Sequence, residues 1–368
     1  MGAQTVLIGG LGPLSRPGLP WAGRELLDGM HLAVRDINRS GAAGHRTLEL
    51  LFENTSGAPV AALDAVNRLV ANGAQMFAGE FHSVVANAIL EDIGRIGLPF
   101  VCASATLDRI TAARLPTVFR LSPPQSYGWR AYATYLIAAG IRHVIAIVEN
   151  TAYWREGASV LESSLIESSV GFTRVDVLHG PAAAIDQGLA SPELRRPFLL
   201  LVLGTYPENL KTVLHQLSSA NTPIMLGDPP GRPIFRDWWE VVGAVGVPFL
   251  AYQHPKKLTD RGQSAAALFE REYGREPTFV ALEGYDSILV LAAAIKEAGS
   301  VDPADVCGVL RHTPIPGTRG VIRFATEPDG VVHQQWKWAP TLIAAFTHPY
   351  QRFSDCDILW EATADLCV

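Results

Sequence analysis

The chain has 368 residues, a formal net charge of −6 and 48% hydrophobic residues. At roughly 100 to 200 residues per domain, that length predicts two domains, each able to bury its own core. The acidic balance carries no basic block or aromatic-basic interleaving, which argues against nucleic acid as a partner, and no apolar run reaches the roughly 20 residues that cross a bilayer. Four cysteines, Cys102, Cys307, Cys356 and Cys367, are too scattered for a CxxC metal site or a dense disulfide framework. Cys102 lies in an apolar strand pattern and reads as a buried thiol. Cys356 and Cys367 either pair in an oxidising compartment or stay free.

Taken in chain order, residues 5–8 read as a strand, 23–38 as a helix with apolar Leu26, Leu27, Met30, Leu32, Ala33 and Ile37, and 48–52 as a strand. A helix follows at 60–71, then a strand at 75–78, a helix at 84–96 and a strand at 99–103. A second half repeats the pattern: strand 143–148, helix 156–168, strands 174–178 and 198–203, helix 207–219 and strand 223–226. Strands alternating with helices of this length mean βαβ units and parallel sheets. Helices are then expected at 261–273, 281–298 and 303–311, and strands at 321–324 and 332–338. The fold class is therefore α/β, with two Rossmann-like lobes, parallel central sheets and three hinge crossovers. The first lobe takes 1–122 plus 252–331, and the second takes 123–251 plus 332–368.

Two segments carry the chemistry. Gly79-Glu80-Phe81-His82-Ser83 follows the strand at 75–78, and Ser104-Ala105-Thr106 follows the strand at 99–103, so both are expected at carboxyl ends of neighbouring parallel strands, where open α/β sheets hold ligands. Ser83 and Thr106 would add hydroxyl donors to unpaired backbone N–H groups, a cradle for a carboxylate. The alternative is that each hydroxyl only caps its helix. His82 either reaches the ligand or has its imidazole tied up by backbone. Glu283 either faces the ligand as an acid or sits in the first turn of its helix, where negative charge is favoured.

Enzyme signatures are missing from the sequence: no Gly-x-Ser-x-Gly elbow, no Walker A loop and no His-Glu-x-x-His. Gly10-Leu11-Gly12-Pro13 opens like a dinucleotide turn, but the third glycine is absent and Pro13 removes an N–H. The reading is of a binding protein without catalytic residues, metal or cofactor. The first strand begins at Thr5, so either the protein is cytoplasmic or a leader has been removed.

Gly12-Pro13-Leu14-Ser15, Gly29-Met30-His31-Leu32-Ala33-Val34 with Ile37-Asn38, Gly79 to Ser83, Ala105-Thr106, Phe119-Arg120, Gly204-Thr205-Tyr206, Gly284-Tyr285-Asp286, and Gly317 with Gly320 stand in the order and spacing of a family. The chain resembles a type I periplasmic binding protein of the branched-chain amino acid receptor group, the solute-binding partner of ABC importers. The resemblance implies a periplasmic or membrane-anchored extracellular monomer that hands a small carboxylate or amino acid to a membrane permease. In the family the serine at Ser83 binds the ligand carboxylate, the threonine at Thr106 binds carboxylate and ammonium, and Ser104 offers a carbonyl to the ammonium; Ala105 lies between them. By the same resemblance Tyr206 closes from the second lobe, Phe279 is an aromatic wall, Tyr153 or Trp154 is a second-lobe aromatic, Trp21 stands for a first-lobe aromatic, and Asp228 pairs with an ammonium. Outside the resemblance, Asp228 before Pro229-Pro230 is also an ordinary turn residue, and Tyr206 an ordinary packing residue. A cytoplasmic ligand sensor of the same fold, acting on a protein partner, is the alternative.

Overall fold

A computed structural model describes residues 4–177, 199–203, 224–226, 248–327, 332–337, 339–348 and 351–362. The chain divides into two compact units, residues 1–124 with 257–340 and residues 125–256 with 341–368, so it crosses between them three times.

In the first unit, β1 (Gln4–Gly12), β2 (Arg46–Asn54), β3 (Met76–Gly79), β4 (Phe100–Cys102) and β5 (Val118–Arg120) form one parallel sheet in the order β2-β1-β3-β4-β5. Helix α1 (Pro20–Ser40) starts on a proline, whose fixed φ suits a first helical turn, and stops at Gly41, whose φ of 64° is the left-handed C-terminal geometry. Its buried stripe, Leu26, Met30, Ala33 and Ile37, has helical spacing and faces the core. Helix α2 (Pro59–Ala71) covers β1 and β2.

The helix expected at 84–96 is two pieces, α3 (Ser83–Ala88) and α4 (Leu90–Ile96), joined at Ile89. The Ile89 N–H is shared between the carbonyls of Val85 and Asn87, so the turn tightens there while Val85, Ile89 and Ile93 remain buried. A short helix α5 (Arg109–Ala112) precedes β5.

In the second unit, α6 (Gln125–Ala138), β6 (His143–Glu149), α7 (Ala152–Glu167), β7 (Gly171–Val177), β8 (Leu199–Leu203), β9 (Ile224–Leu226) and β10 (Phe249–Ala251) are described. The helix expected at 207–219 lies outside the described residues. The sheet order is β14-β13-β10-β9-β8-β6-β7, parallel from β7 to β10 and antiparallel at β13 (Leu342–Ala345) and β14 (Asp357–Glu361).

Helices α8 (Asp260–Tyr273), α9 (Phe279–Ala298) and α10 (Pro303–His312) belong to the first unit. Helix α9 is buried over most of its length, because it packs on α1, α10, β3 and β4. The approach to α1 is backbone to backbone: a Cβ on Gly29 would stand 2.0 Å from the Ala281 carbonyl oxygen.

Two expectations about the third section need correction. The strand expected at 321–324 shortens to β12 (Val321–Ile322), antiparallel to β11 (Ile315–Pro316). Residues 332–337 form no strand; single bridges join Arg120 with Gln335 and Phe324 with Trp336. The cause is side-chain competition for backbone. Gln334 Nε2 donates to the Val118 carbonyl at 2.6 Å, and Gln335 Nε2 donates to that of Ser122 at 2.7 Å. These bonds hold residues 332–337 on the first unit, whose second segment is 257–340.

Cys102, Cys307 and Cys356 are buried free thiols, while Cys367 lies outside the described residues. Among the described residues no helix is long and apolar enough to cross a membrane, and no three His, Cys, Asp or Glu are grouped to hold a metal ion.

Candidate functional site

Parallel pairing of β3 with β4 brings the two predicted segments together. The ladder runs past both strand ends, with Ala103 N donating to Gly79 O at 2.8 Å and Ser104 N to Glu80 O at 3.2 Å. Gly79 has φ 121°, and a Cβ there would stand 2.1 Å from the Leu11 carbonyl oxygen, so this position takes glycine alone. Glu80, fully buried, turns its Oε1 back to accept from Phe81 N at 2.8 Å and His82 N at 2.9 Å. That turn delivers Ser83.

Neither residue holds an N-cap position. The N-cap of α3 is His82 and that of α5 is Asp108. Ser83 Oγ instead accepts across the sheet edge from Thr106 N at 2.9 Å and Leu107 N at 3.3 Å. Ser83, Ser104, Ala105 and Thr106 are buried. The Ala105 carbonyl is turned into the unit, where it accepts from Ser122 Oγ at 2.9 Å.

His82 Nε2 accepts from Leu19 N at 3.1 Å, which ties the start of α1 to this loop. Trp21, in the first turn of α1, is half-buried and meets Phe81 edge to face with ring centroids 5.5 Å apart; Phe81 meets His82 in the same way at 5.3 Å. Phe279, the first residue of α9, is buried.

Glu283 does not present a carboxylate to the loop surface. It is fully buried on α9, where it accepts from Ser104 Oγ and from Arg319 Nη1, the latter at 3.0 Å. Arg319 Nε is 3.6 Å from Asp286 Oδ2, its guanidinium lies 5.1 Å from the Trp336 ring centroid, and Asp286 accepts from Thr318 N and Oγ1 at 2.8 and 2.7 Å.

Burial pushes the Glu283 carboxyl up to about 7, against the opposing pull of Arg319 and the Ser104 hydroxyl. Asp286 and Glu80 are raised for the same reason. In the unfolded chain these acids ionise near their ordinary values, so between about 4.5 and about 7 the unfolded state binds fewer protons and stability falls as pH rises. The full Glu283 shift corresponds to roughly 3 kcal/mol. The melting temperature of the wild type minus that of Glu283→Gln should therefore fall between pH 5 and pH 8, and a difference flat across that range would contradict the burial account.

Sequence reading missed the residue beneath the loop. Arg120 is fully buried at the end of β5, and all three guanidinium nitrogens are engaged: Nη1 donates to the carbonyls of Thr106 and Leu107 at 3.2 and 2.5 Å, Nη2 to Thr111 Oγ1 at 3.0 Å, and Nε to Gln335 Oε1. Burial lowers its pKa to about 10, which leaves it charged at neutral pH. The signal was present as a single arginine inside the apolar run Val118-Phe119-Arg120-Leu121.

In the second unit, Trp154 is 2% exposed and packs against Trp129 with centroids 6.1 Å apart. Tyr153, before it on α7, is half-buried, and its carbonyl accepts from Gln125 Nε2 at 2.7 Å. Tyr206 and Asp228 lie outside the described residues.

A family model described as "Periplasmic binding protein" matches residues 5–339, and the chain belongs to that family. It is 25% identical over 335 residues, 88% of each chain, to a Leu/Ile/Val-binding protein of Rhizobium johnstonii. Its fold matches a leucine-binding protein of Thermotoga maritima with TM-score 0.81 at 19% identity, covering 98% of this chain and 99% of that one. It also matches a solute-binding protein of an ABC transporter from R. palustris, solved with benzoate, with TM-score 0.77 at 18% identity, covering 98% and 96%. The family and these relatives are binding proteins, and the chain is a solute-binding receptor of this kind.

Proposed function

We propose that this receptor serves an ABC importer, capturing a small carboxylate or amino acid with an apolar or aromatic side chain and releasing it to a membrane permease. Ser83 carries the reading. Its oxygen already accepts two backbone N–H groups, and a hydroxyl has two acceptor sites and one proton, so the proton remains for a ligand carboxylate. The aromatic edge formed by Trp21 and Phe81 supports an apolar or aromatic side chain. The named specificity of the Rhizobium relative and the benzoate held by the R. palustris protein support the same ligand class. The second lobe would close over the ligand through Tyr206, Asp228 and Tyr153, and closure would let the permease tell full from empty. The protein would act as a monomer in the periplasm or anchored outside the membrane.

A thermal-shift screen with leucine, phenylalanine, 4-methylpentanoate and benzoate tests this, since ligand at a hundred times its dissociation constant adds roughly 2.7 kcal/mol. A stabilising carboxylate is expected, and silence across all four would sink the reading. Ser83→Ala should weaken the best ligand by about 1 to 3 kcal/mol, roughly 5- to 150-fold, because a carboxylate oxygen is left unpaired.

A further inference from the structure

Hydroxyl bookkeeping separates the two serines, Ser83 after β3 and Ser104 after β4. Both lone pairs of Ser83 Oγ are taken up by Thr106 N and Leu107 N, so Ser83 can only donate. Ser104 is the reverse, because its proton is committed to Glu283 Oε2 and only lone pairs remain. The other Glu283 oxygen takes Arg319 Nη1 at 3.0 Å, and Arg319 is itself 1% exposed and faces Asp286 at 3.6 Å. The carboxylate is thus held behind Ser104 as an acceptor, with an oxygen for Ser104 and an oxygen for Arg319. It has no exposed surface through which to meet a ligand ammonium.

We propose that Glu283 is a positioning residue that fixes the hydrogen-bond polarity of the binding loop: by taking the Ser104 proton it makes Ser104 an obligate acceptor. The loop then offers a donor at Ser83 and an acceptor at Ser104, and selects ligands with an N–H donor beside their carboxylate. A second carboxylate oxygen set against Ser104 Oγ would meet lone pairs. An ammonium N–H would be accepted. Ser104 would therefore read the amine through its side chain, beside the carbonyl that the family resemblance assigns to that task. This rests on the carboxylate-receptor reading above.

The test is calorimetric titration of the full chain at pH 8, where Glu283 is ionised, with two matched pairs: leucine against 4-methylpentanoate and phenylalanine against 3-phenylpropanoate. The wild type should favour the amino acid in at least one pair by tenfold or more. Ser104→Ala should reduce that preference about tenfold while moving the amine-free acid by less than threefold. Glu283→Gln should do the same, because a glutamine amide can donate to Ser104 and release its proton. A merely structural Glu283 would weaken both members of a pair equally.

A preference unchanged in folded Ser104→Ala, or a wild-type preference for the amine-free acid, overturns the proposal, and Ser104→Ala decides alone should Glu283→Gln fail to fold. If Ser83→Ala abolishes binding of both members while Ser104→Ala leaves their ratio alone, the inference falls and the carboxylate reading stands. If the wild type binds none of the four compounds, both fall.

Discussion

Arg120→Met is expected to destabilise the first unit by about 3 to 5 kcal/mol. Methionine fills similar volume but donates nothing, so the carbonyls of Thr106 and Leu107, Thr111 Oγ1 and Gln335 Oε1 all lose a donor in a site without water-accessible surface. A buried acceptor left without a partner costs about 1 to 3 kcal/mol, and the sum stays below four times that figure because the Leu107 carbonyl keeps the Ile110 N–H at 3.1 Å and the site relaxes locally. Arg120→Lys should recover less than half, because an ammonium is a point donor without the planar fork that spans four acceptors. Urea unfolding followed by tryptophan fluorescence measures this directly. A midpoint shift worth less than about 1 kcal/mol would mean that the loop is held by the Ser83 contacts rather than from below.

Trp154→Ala is expected to cost the second unit about 3 to 5 kcal/mol by opening a cavity against Trp129, and to lower its melting temperature by on the order of 10 °C. Tyr153→Ala, at the half-buried neighbour, should cost about 1 kcal/mol of stability. Ligand affinity should respond in the opposite order, with Tyr153→Ala weakening binding more than Trp154→Ala does. Burial is the ground for expecting Tyr153 rather than Trp154 at the ligand, since a ring 2% exposed has little face left for one. Calorimetric unfolding combined with ligand titration of both variants checks the order, and a Trp154→Ala protein of full stability with lost affinity would reverse the assignment.

Much of the fold was legible because its signals are local. Period-two and period-3.6 apolar patterns placed β1 to β4, β6 to β9 and most helices within a few residues, since each pattern reflects which faces must be buried, while the three-residue β5 was not expected. The failure at 332–338 has a different origin. Val332 to Trp338 alternates like a strand, yet Gln334 and Gln335 spend their amides on the backbone of residues 115–122, a competitor that no window of sequence contains. The break at Ile89 was equally invisible, because the apolar period continues through it.

The positions of Ser83, Ser104 and Thr106 at neighbouring strand ends followed from the sequence alone, because the strand-loop-helix order dictates a parallel sheet and the sheet dictates where its loops emerge. What each hydroxyl does was decided by tertiary structure. Glu283 is 179 residues from Ser104 and Gln335 is 215 from Arg120, and the direction of a hydroxyl proton depends on such distant partners. Sequence determines which groups can reach the sheet edge, through periodicities set by backbone geometry. Only the folded chain determines which of their donors and acceptors are already spent, because that is a property of contacts made across the whole length of the molecule.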